Sequence, residues 1–372
     1  LMCGGGRNRS GRPRQTLIRL SYLPLIYKLN QKDKLNMIRL LTYLGDKEAP
    51  GNIRVILPYI LLNTYNNILA NYDFTMSNSP VFYQGLSCLQ VQRIATKDQL
   101  MILMIIKKIA AKVGFKIFYD IDDLITDVPV FNKTYAYYNK NKEYVEKILT
   151  SVDCIICSTA KLADKLKKYN KVKVIQNRLL EPIWRMHKHQ SFFETRTKPK
   201  ILWAGGHTHF SKDGEEEGDF DKKIMKYMLE TSDRFEWIFC GHRPKELNDD
   251  RIKLVPWNPN YFEYPHGLRQ IDADIGIALL QDNEFNKCKS NLKAMEYVAL
   301  GIPGVYSDIT PYQFMNCKVS NSDQFINSIE KLTSDESYYN KIKLRDRSAL
   351  NNNLYWDKAY IKKYLDTYFK KK

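Results

Sequence analysis

Apolar positions follow two rhythms along this chain. Short runs rich in β-branched and aromatic residues alternate with longer segments whose apolar residues recur every three or four positions, and this happens twice. In the first half, Asn52–Tyr59 is a β-branched run standing in the place of a strand. Lys97–Val113 is a helix-length apolar segment closed by Gly114, and Phe115–Tyr119 is a short strand running into Asp120–Asp123. Tyr144–Leu149 (helix), Val152–Ser158 (strand), Lys161–Tyr169 (helix) and Val172–Gln176 (strand) follow. The charged stretch Asn177–Lys200, broken by Pro182 and Pro199, reads as a hinge.

The second half alternates more cleanly. Strands are expected at Lys200–Ala204, Phe235–Cys240, Ile252–Val255, Ala273–Leu280 and Ile302–Ser307. Helices are expected at Asp221–Glu230, Tyr261–Ile271 and Ser290–Leu300, and the chain beyond Asp323 is mostly helical. Strands separated by helix-length segments imply parallel sheets covered on both faces. The expectation is an α/β protein of two doubly wound, Rossmann-like domains facing an interdomain cleft, with ligands outside the carboxyl ends of the strands. Its parts are residues 1–180, a hinge over 181–199, a second domain over 200–345, and a helical segment over 346–372 that crosses back to the first domain. At the amino terminus, Cys3 and Gly4–Gly6, then Arg7–Arg14 and the periodic run Leu17–Leu29, read as a strand end, a glycine turn and a helix. Only Leu1–Cys3 remain for that strand, so the natural protein is expected to begin a few residues earlier.

Composition narrows the class. With 44% hydrophobic and 27% charged positions the chain is globular rather than disordered. Its longest apolar stretch, near Leu100–Ile106, is far short of the ~20 residues of a membrane span. The amino-terminal arginines meet no apolar segment shaped like a secretory leader, and the seven scattered cysteines do not suggest disulfides. A cytoplasmic location is expected. Cys154 and Cys157, three apart on a strand, face opposite sides and cannot share a zinc. The net charge of +17 is concentrated at the ends: residues 1–50 and 341–372 each carry ten basic and three acidic groups. Such ends suit a polyanion (DNA or an anionic membrane surface), although a lysine-rich proteome with solvated ends would read the same way. No obligate protein partner is inferred.

The densest chemistry lies in Gln281–Asp308, QDNEFNKCKSNLKAMEYVALGIPGVYSD. A strand leads into a polar loop, a helix opens near Ser290-Asn291 and ends at Gly301, and Pro303 precedes the next strand. Free N–H groups and the positive dipole end at a helix start make an anion site. Lys289 and Lys293 flank it, and Glu296 within the helix is placed to accept both hydroxyls of a ribose. Residues alone equally allow Ser290 as a plain N-cap and Glu296 as a solvated face.

This segment resembles the nucleotide-sugar motif of the large GT-B family of retaining glycosyltransferases: a loop, a helix bearing a ribose-binding Glu, Gly-x-Pro, then a strand ending in Ser-Asp. Glu296, Gly301, Pro303 and Ser307-Asp308 occupy those places. The second Glu that the family often carries eight residues earlier is replaced by Cys288, and the Cys-Lys-Ser-Asn loop is similar to that of a phage and bacterial subgroup. The resemblance implies a GT-B fold and transfer of a glycosyl unit from a nucleotide diphosphate sugar, UDP-sugar favoured, with no tightly bound cofactor and with retention. The donor-binding residues it implies are Gly205, Gly206, Lys212, Arg243, Trp257, Lys289, Ser290, Asn291 and Glu296. His207 and His209 lack two further ligands at zinc spacing, so no metal is expected.

Asp120-Ile121-Asp122-Asp123 has two readings. Asp-x-Asp after a strand is a manganese signature of GT-A transferases, but residues 272–312 match GT-B instead. The aspartates are then the first domain's rim, with Asp122 as base or acceptor-orienting group. Gly5, Gly6, Arg7, Arg12 and Asp120 are expected on the acceptor side. Arginines there suit DNA phosphates, and the Asn-, Lys- and Tyr-rich usage resembles an AT-rich phage genome. The best acceptor is then a hydroxymethylated pyrimidine in phage DNA, flipped into the cleft, which would place the protein in the host cytoplasm. Envelope polysaccharide or lipid-linked glycan is the alternative. A non-catalytic nucleotide-sugar or nucleic-acid binding protein is the reading from another class.

Overall fold

The computed structural model describes residues 37–195, 198–210 and 218–369. Two six-stranded sheets carry the fold, and every strand pair in both is parallel. The first sheet holds β1 (Ile38–Leu44), β2 (Ile68–Asp73), β3 (Cys88–Gln92), β4 (Lys116–Ile121), β5 (Cys154–Cys157) and β6 (Val172–Val174), in the order β2-β1-β3-β4-β5-β6. The second holds β7 (Lys200–Gly205), β8 (Glu236–Gly241), β9 (Lys253–Val255), β10 (Ile275–Ala278), β11 (Gly304–Ser307) and β12 (Lys318–Val319), in the order β12-β11-β10-β7-β8-β9. Strand order reverses between β1 and β3 in one sheet and between β7 and β10 in the other. Ligand crevices form at such switch points.

Helices cover both faces of each sheet, because a central parallel strand buries both its faces. On the first sheet, α2 (Lys97–Val113), α3 (Tyr135–Ser151) and α4 (Ala160–Leu166) supply Leu103, Ile106, Val145, Ile148 and Leu162 to one core. The other face is covered by a helical stretch over 49–62, here α1, and by α11 (Lys358–Phe369), whose Tyr360, Ile361, Tyr364 and Tyr368 pack on Leu40, Phe118 and Ile156. The last helix of the chain therefore completes the first sheet. On the second sheet, α5 (Lys222–Glu230), α9 (Ser322–Ser334) and α10 (Glu336–Leu350) face one core, and α6 (Tyr264–Ile271) and α8 (Leu292–Leu300) the other. The period of two is visible along β7: Ile201 and Trp203 enter one core, Leu202 and Ala204 the other. Cys154 and Cys157 likewise sit in different cores.

One expected strand is absent. Asn52–Tyr59 is helical, with a π turn over Asn52–Ile56 between the α-helical turns Ala49–Gly51 and Leu57–Leu62. Short apolar runs do not distinguish strand from buried helix by periodicity, and Pro50 in the first turn starts a helix. The strands of that region are β1, β2 and β3, which the pattern did not single out. The glycine turn and helix read at 3–29 lie outside the described residues.

Candidate functional site

The carboxyl ends of the two sheets meet across a cleft, and the loop between β10 and α8 spans it. A short helix in that loop, α7 (Glu284–Lys287), reaches the first domain. Phe285 and Cys288 are buried in the first domain's core beside Val145 and Leu162. Thr159 Oγ1 donates to the Cys288 carbonyl at 2.8 Å, and Glu284 pairs with Lys165 Nζ at 2.6 Å. Cys288 therefore fills an apolar seat, not a sugar-facing position.

The start of α8 is the second-domain wall of the cleft. Asn291 is the N-cap and makes no side-chain capping bond, so the first N–H groups have neither an intrahelical nor a capping acceptor. Ser290 Oγ instead accepts from Asn177 Nδ2 of the first domain at 3.0 Å. Lys289 Nζ lies 5.0 Å from the Phe285 ring centre. One turn further, Lys293 Nζ sits 2.8 Å from Glu296 Oε2, which also accepts from the Tyr264 hydroxyl at 3.3 Å. Glu296 is 1% exposed. Tyr264 stacks on Trp257 at 4.4 Å between ring centres, which extends this wall to the end of β9.

Close backbone approach shapes the neighbouring rim. Gly241 has φ of +102°, and a Cβ there would come within 2.5 Å of the Gly205 carbonyl. Gly206 is exposed with open space beside it. His209 Nδ1 lies 2.7 Å from Asp219 Oδ2, and the other Asp219 oxygen accepts from the Gln281 N–H and from Asn286 Nδ2. Burial lowers the His209 pKa; the Asp219 bond opposes this, and Lys289 and Lys293 add to it.

The first-domain wall is acidic around one arginine. Arg93, in the left-handed region at φ +52°, follows β3 at the switch point. Its guanidinium lies 3.3 Å from Asp46, 3.3 Å from Asp122 and 3.2 Å from Asp123. Asp122 Oδ1 is buried without a hydrogen bond. Burial, opposed by Arg93 and reinforced by Asp123, pushes the Asp122 carboxyl up to about 7. Burial also works against the Asp123 charge, but Lys289, Arg93 and His209 together hold that carboxyl below its usual range. Charges of the two domains thus act on each other across the cleft.

Two expected site residues are engaged elsewhere. Asp120 is 1% exposed, and both its oxygens accept from Arg54, at 3.0 and 2.7 Å. That carboxylate is a buried structural partner, withdrawn from the rim, because the helical α1 brings Arg54 onto it. Arg243 donates to the carbonyls of Asp249 and Ile252 and to Asn248 Oδ1, so it ties its own loop together. Gly5, Gly6, Arg7, Arg12 and Lys212 lie outside the described residues. The structure brings Gly205, Gly206, Trp257, Lys289, Ser290, Asn291 and Glu296 along one wall and sets Asp122 on the other. Sequence reasoning missed Asp46, Arg93, Asn177 and the His209–Asp219 pair. Only the polar ends of β1 and β3 could have pointed to the first two. Among the described residues no cluster of His, Cys, Asp and Glu could hold a metal ion, and no helix is long and apolar enough to cross a membrane.

No protein-family model and no curated protein sequence matches the chain. Solved structures match over most of its length. HepE from Anabaena, in complex with UDP and glucose, is 10% identical with a TM-score of 0.60, covering 89% of this chain and 98% of its own. The β-glucosyltransferase of phage T4 is 12% identical with a TM-score of 0.50, covering 89% and 99%. The Thermobaculum terrenum O-GlcNAc transferase is 9% identical with a TM-score of 0.51, covering 91% and 68%. With its two parallel sheets, the chain has the GT-B fold, two Rossmann-like domains facing a cleft.

Proposed function

We propose that this protein is a glycosyltransferase that moves a sugar from a nucleotide diphosphate sugar to an acceptor hydroxyl. One observation carries the reading. The uncapped start of α8, with Lys289 beside it, faces the first domain's Asp123, which shares Arg93 with Asp122. Structures of similar fold were solved with UDP and with UDP-glucose, which favours a UDP-sugar as the donor.

The donor lies along the second-domain wall in this account. Trp257 flanks the base with Tyr264 stacked behind it, Glu296 accepts from the ribose hydroxyls, and Lys289 with the N–H groups after Asn291 meets the diphosphate. Gly206 leaves room for the phosphates to approach the backbone. As the glycosidic bond breaks, negative charge grows on the departing diphosphate, and fixed donors and cations stabilise it without reorganising. Asp122 takes the acceptor's proton or orients its hydroxyl. Retention is the course that the helix–Glu–Gly-x-Pro motif implies. The Asp122 carboxyl near 7 favours a second reading, direct displacement with inversion, in which it is the base. The anomeric configuration of the product decides between them.

The acceptor in this proposal is a hydroxymethylated pyrimidine in DNA. The fold shared with a phage β-glucosyltransferase and the net charge of +17 support it. The test incubates the full chain with labelled nucleotide sugars and either hydroxymethylated DNA or membrane extract. Label entering DNA is the expected result. Label entering only lipid or glycan overturns the acceptor, and neither transfer nor donor hydrolysis with any nucleotide sugar overturns the enzyme.

A further inference from the structure

We propose that the His209–Asp219 pair is a proton-coupled clamp for the donor: His209 Nε2 takes up a proton as the diphosphate arrives and hydrogen-bonds one of its oxygens. The inference rests on the donor site proposed above and assigns it a residue that the helix start alone does not supply.

The geometry fixes which nitrogen is available. Asp219 is nearly inaccessible, its side chain 2% exposed. One of its oxygens holds the Gln281 N–H at 2.8 Å and Asn286 Nδ2 at 2.9 Å, and the other lies 2.7 Å from His209 Nδ1. A carboxylate so placed is an acceptor, so Nδ1 carries the hydrogen and Nε2 of the neutral ring carries a lone pair. The Trp203 ring, 5.6 Å away and nearly perpendicular, fixes the imidazole on a second side. Nε2, on the far edge, bonds to no described residue.

The surrounding charges explain why this position titrates. Lys289 and Lys293 act on the ring from the loop and helix of the second domain, Asp123 from the first domain, His207 from the same turn, and Asp219 from beneath. In the free protein, burial and the lysines outweigh Asp219 and favour the neutral ring. A diphosphate entering beside Lys289 brings negative charge that reverses this balance. A permanent cation here would repel the lysines whenever the site is empty; an imidazole becomes a cation only when its anion is present. The proton comes from solvent and returns to it when the nucleotide leaves, and no bond to carbon forms or breaks at His209. The residue acts as a donor to the diphosphate, and Asp219 is its positioning residue.

The test is calorimetric titration of UDP-glucose into the full chain near pH 7.5, in buffers of different ionisation enthalpy. The diphosphate diester of this probe does not titrate near neutrality, so protons taken up go to the protein. His209→Asn keeps a donor near the Nδ1 position for Asp219 but has no titratable nitrogen, and His209→Gln is the companion that reaches the Nε2 position. Wild type should take up a substantial fraction of a proton, and its affinity should fall, by up to about tenfold per pH unit, as pH rises above neutrality. Both variants should lose that uptake and flatten the pH dependence. Binding by wild type without proton uptake, or the same uptake in His209→Asn, overturns the clamp and leaves the donor site standing. No binding of UDP-glucose, UDP or other nucleoside diphosphates overturns both.

Discussion

Two aspartates two residues apart meet opposite fates at the end of β4. Asp120 points into the core and is neutralised by Arg54; Asp122 stays at the cleft, beside an arginine it shares with Asp46 and Asp123. Replacing Arg54 by Ala strands a buried carboxylate, and stability should drop by about 3–5 kcal/mol, read by denaturant titration. Asp122 should behave in the opposite sense. Its carboxyl is raised from an ordinary value near ~4 to about 7, so ionising it costs stability, fully so above that range. Asp122→Asn should match wild type in melting temperature near pH 3, pull ahead as pH rises through the interval between the two values, and exceed it most at pH 8. The same variant should lose about 10²- to 10⁴-fold in transfer rate if Asp122 is the base, and the wild-type rate should rise with pH through about 7. Nothing in the string Asp-Ile-Asp-Asp distinguishes the two residues. The difference arises from Arg54 and Arg93, which reach the strand end from 66 and 29 positions earlier in the chain, and such pairings are invisible to a local pattern.

At the scale of elements, the legible parts were those whose signals are local. The helix Lys97–Val113 has its capping box at Thr96 and Gln99 and its left-handed glycine at 114, and its bounds follow from those residues. The alternation of the second half was legible for the same reason: each strand there is short, apolar and closed by a polar or glycine turn. Asn52–Tyr59 was not, since its β-branched residues are buried on a helix packed between sheet and hinge. The rim of the second sheet depends on a contact between strand ends. Gly241→Ala would need a left-handed alanine and would push a methyl group onto the Gly205 carbonyl, 2.5 Å from its Cβ. Thermal stability should fall by roughly 1–3 kcal/mol, and UDP affinity with it, because the strain sits beside the proposed donor site. Unchanged stability and binding would show that the two strand ends are not packed this closely.

At the scale of the molecule, the two domains are joined by more than the hinge. The loop before α8 is seated in the first domain through Phe285, Cys288 and the Asn177–Ser290 bond, and α11 returns from the second domain to cover the first sheet. The proposed anion site is therefore framed by both domains, and the sequence motif for it, dense over residues 272–312, shows only the second-domain half. The claim on which the account turns is that a nucleoside diphosphate seats at the start of α8. It is tested most directly by measuring the dissociation constant of UDP for wild type and for Lys289→Ala. A charged hydrogen bond of about 1.5–3 kcal/mol predicts that the variant binds at least about tenfold more weakly. Equal affinity in the two proteins, or no binding of UDP by either, would contradict it.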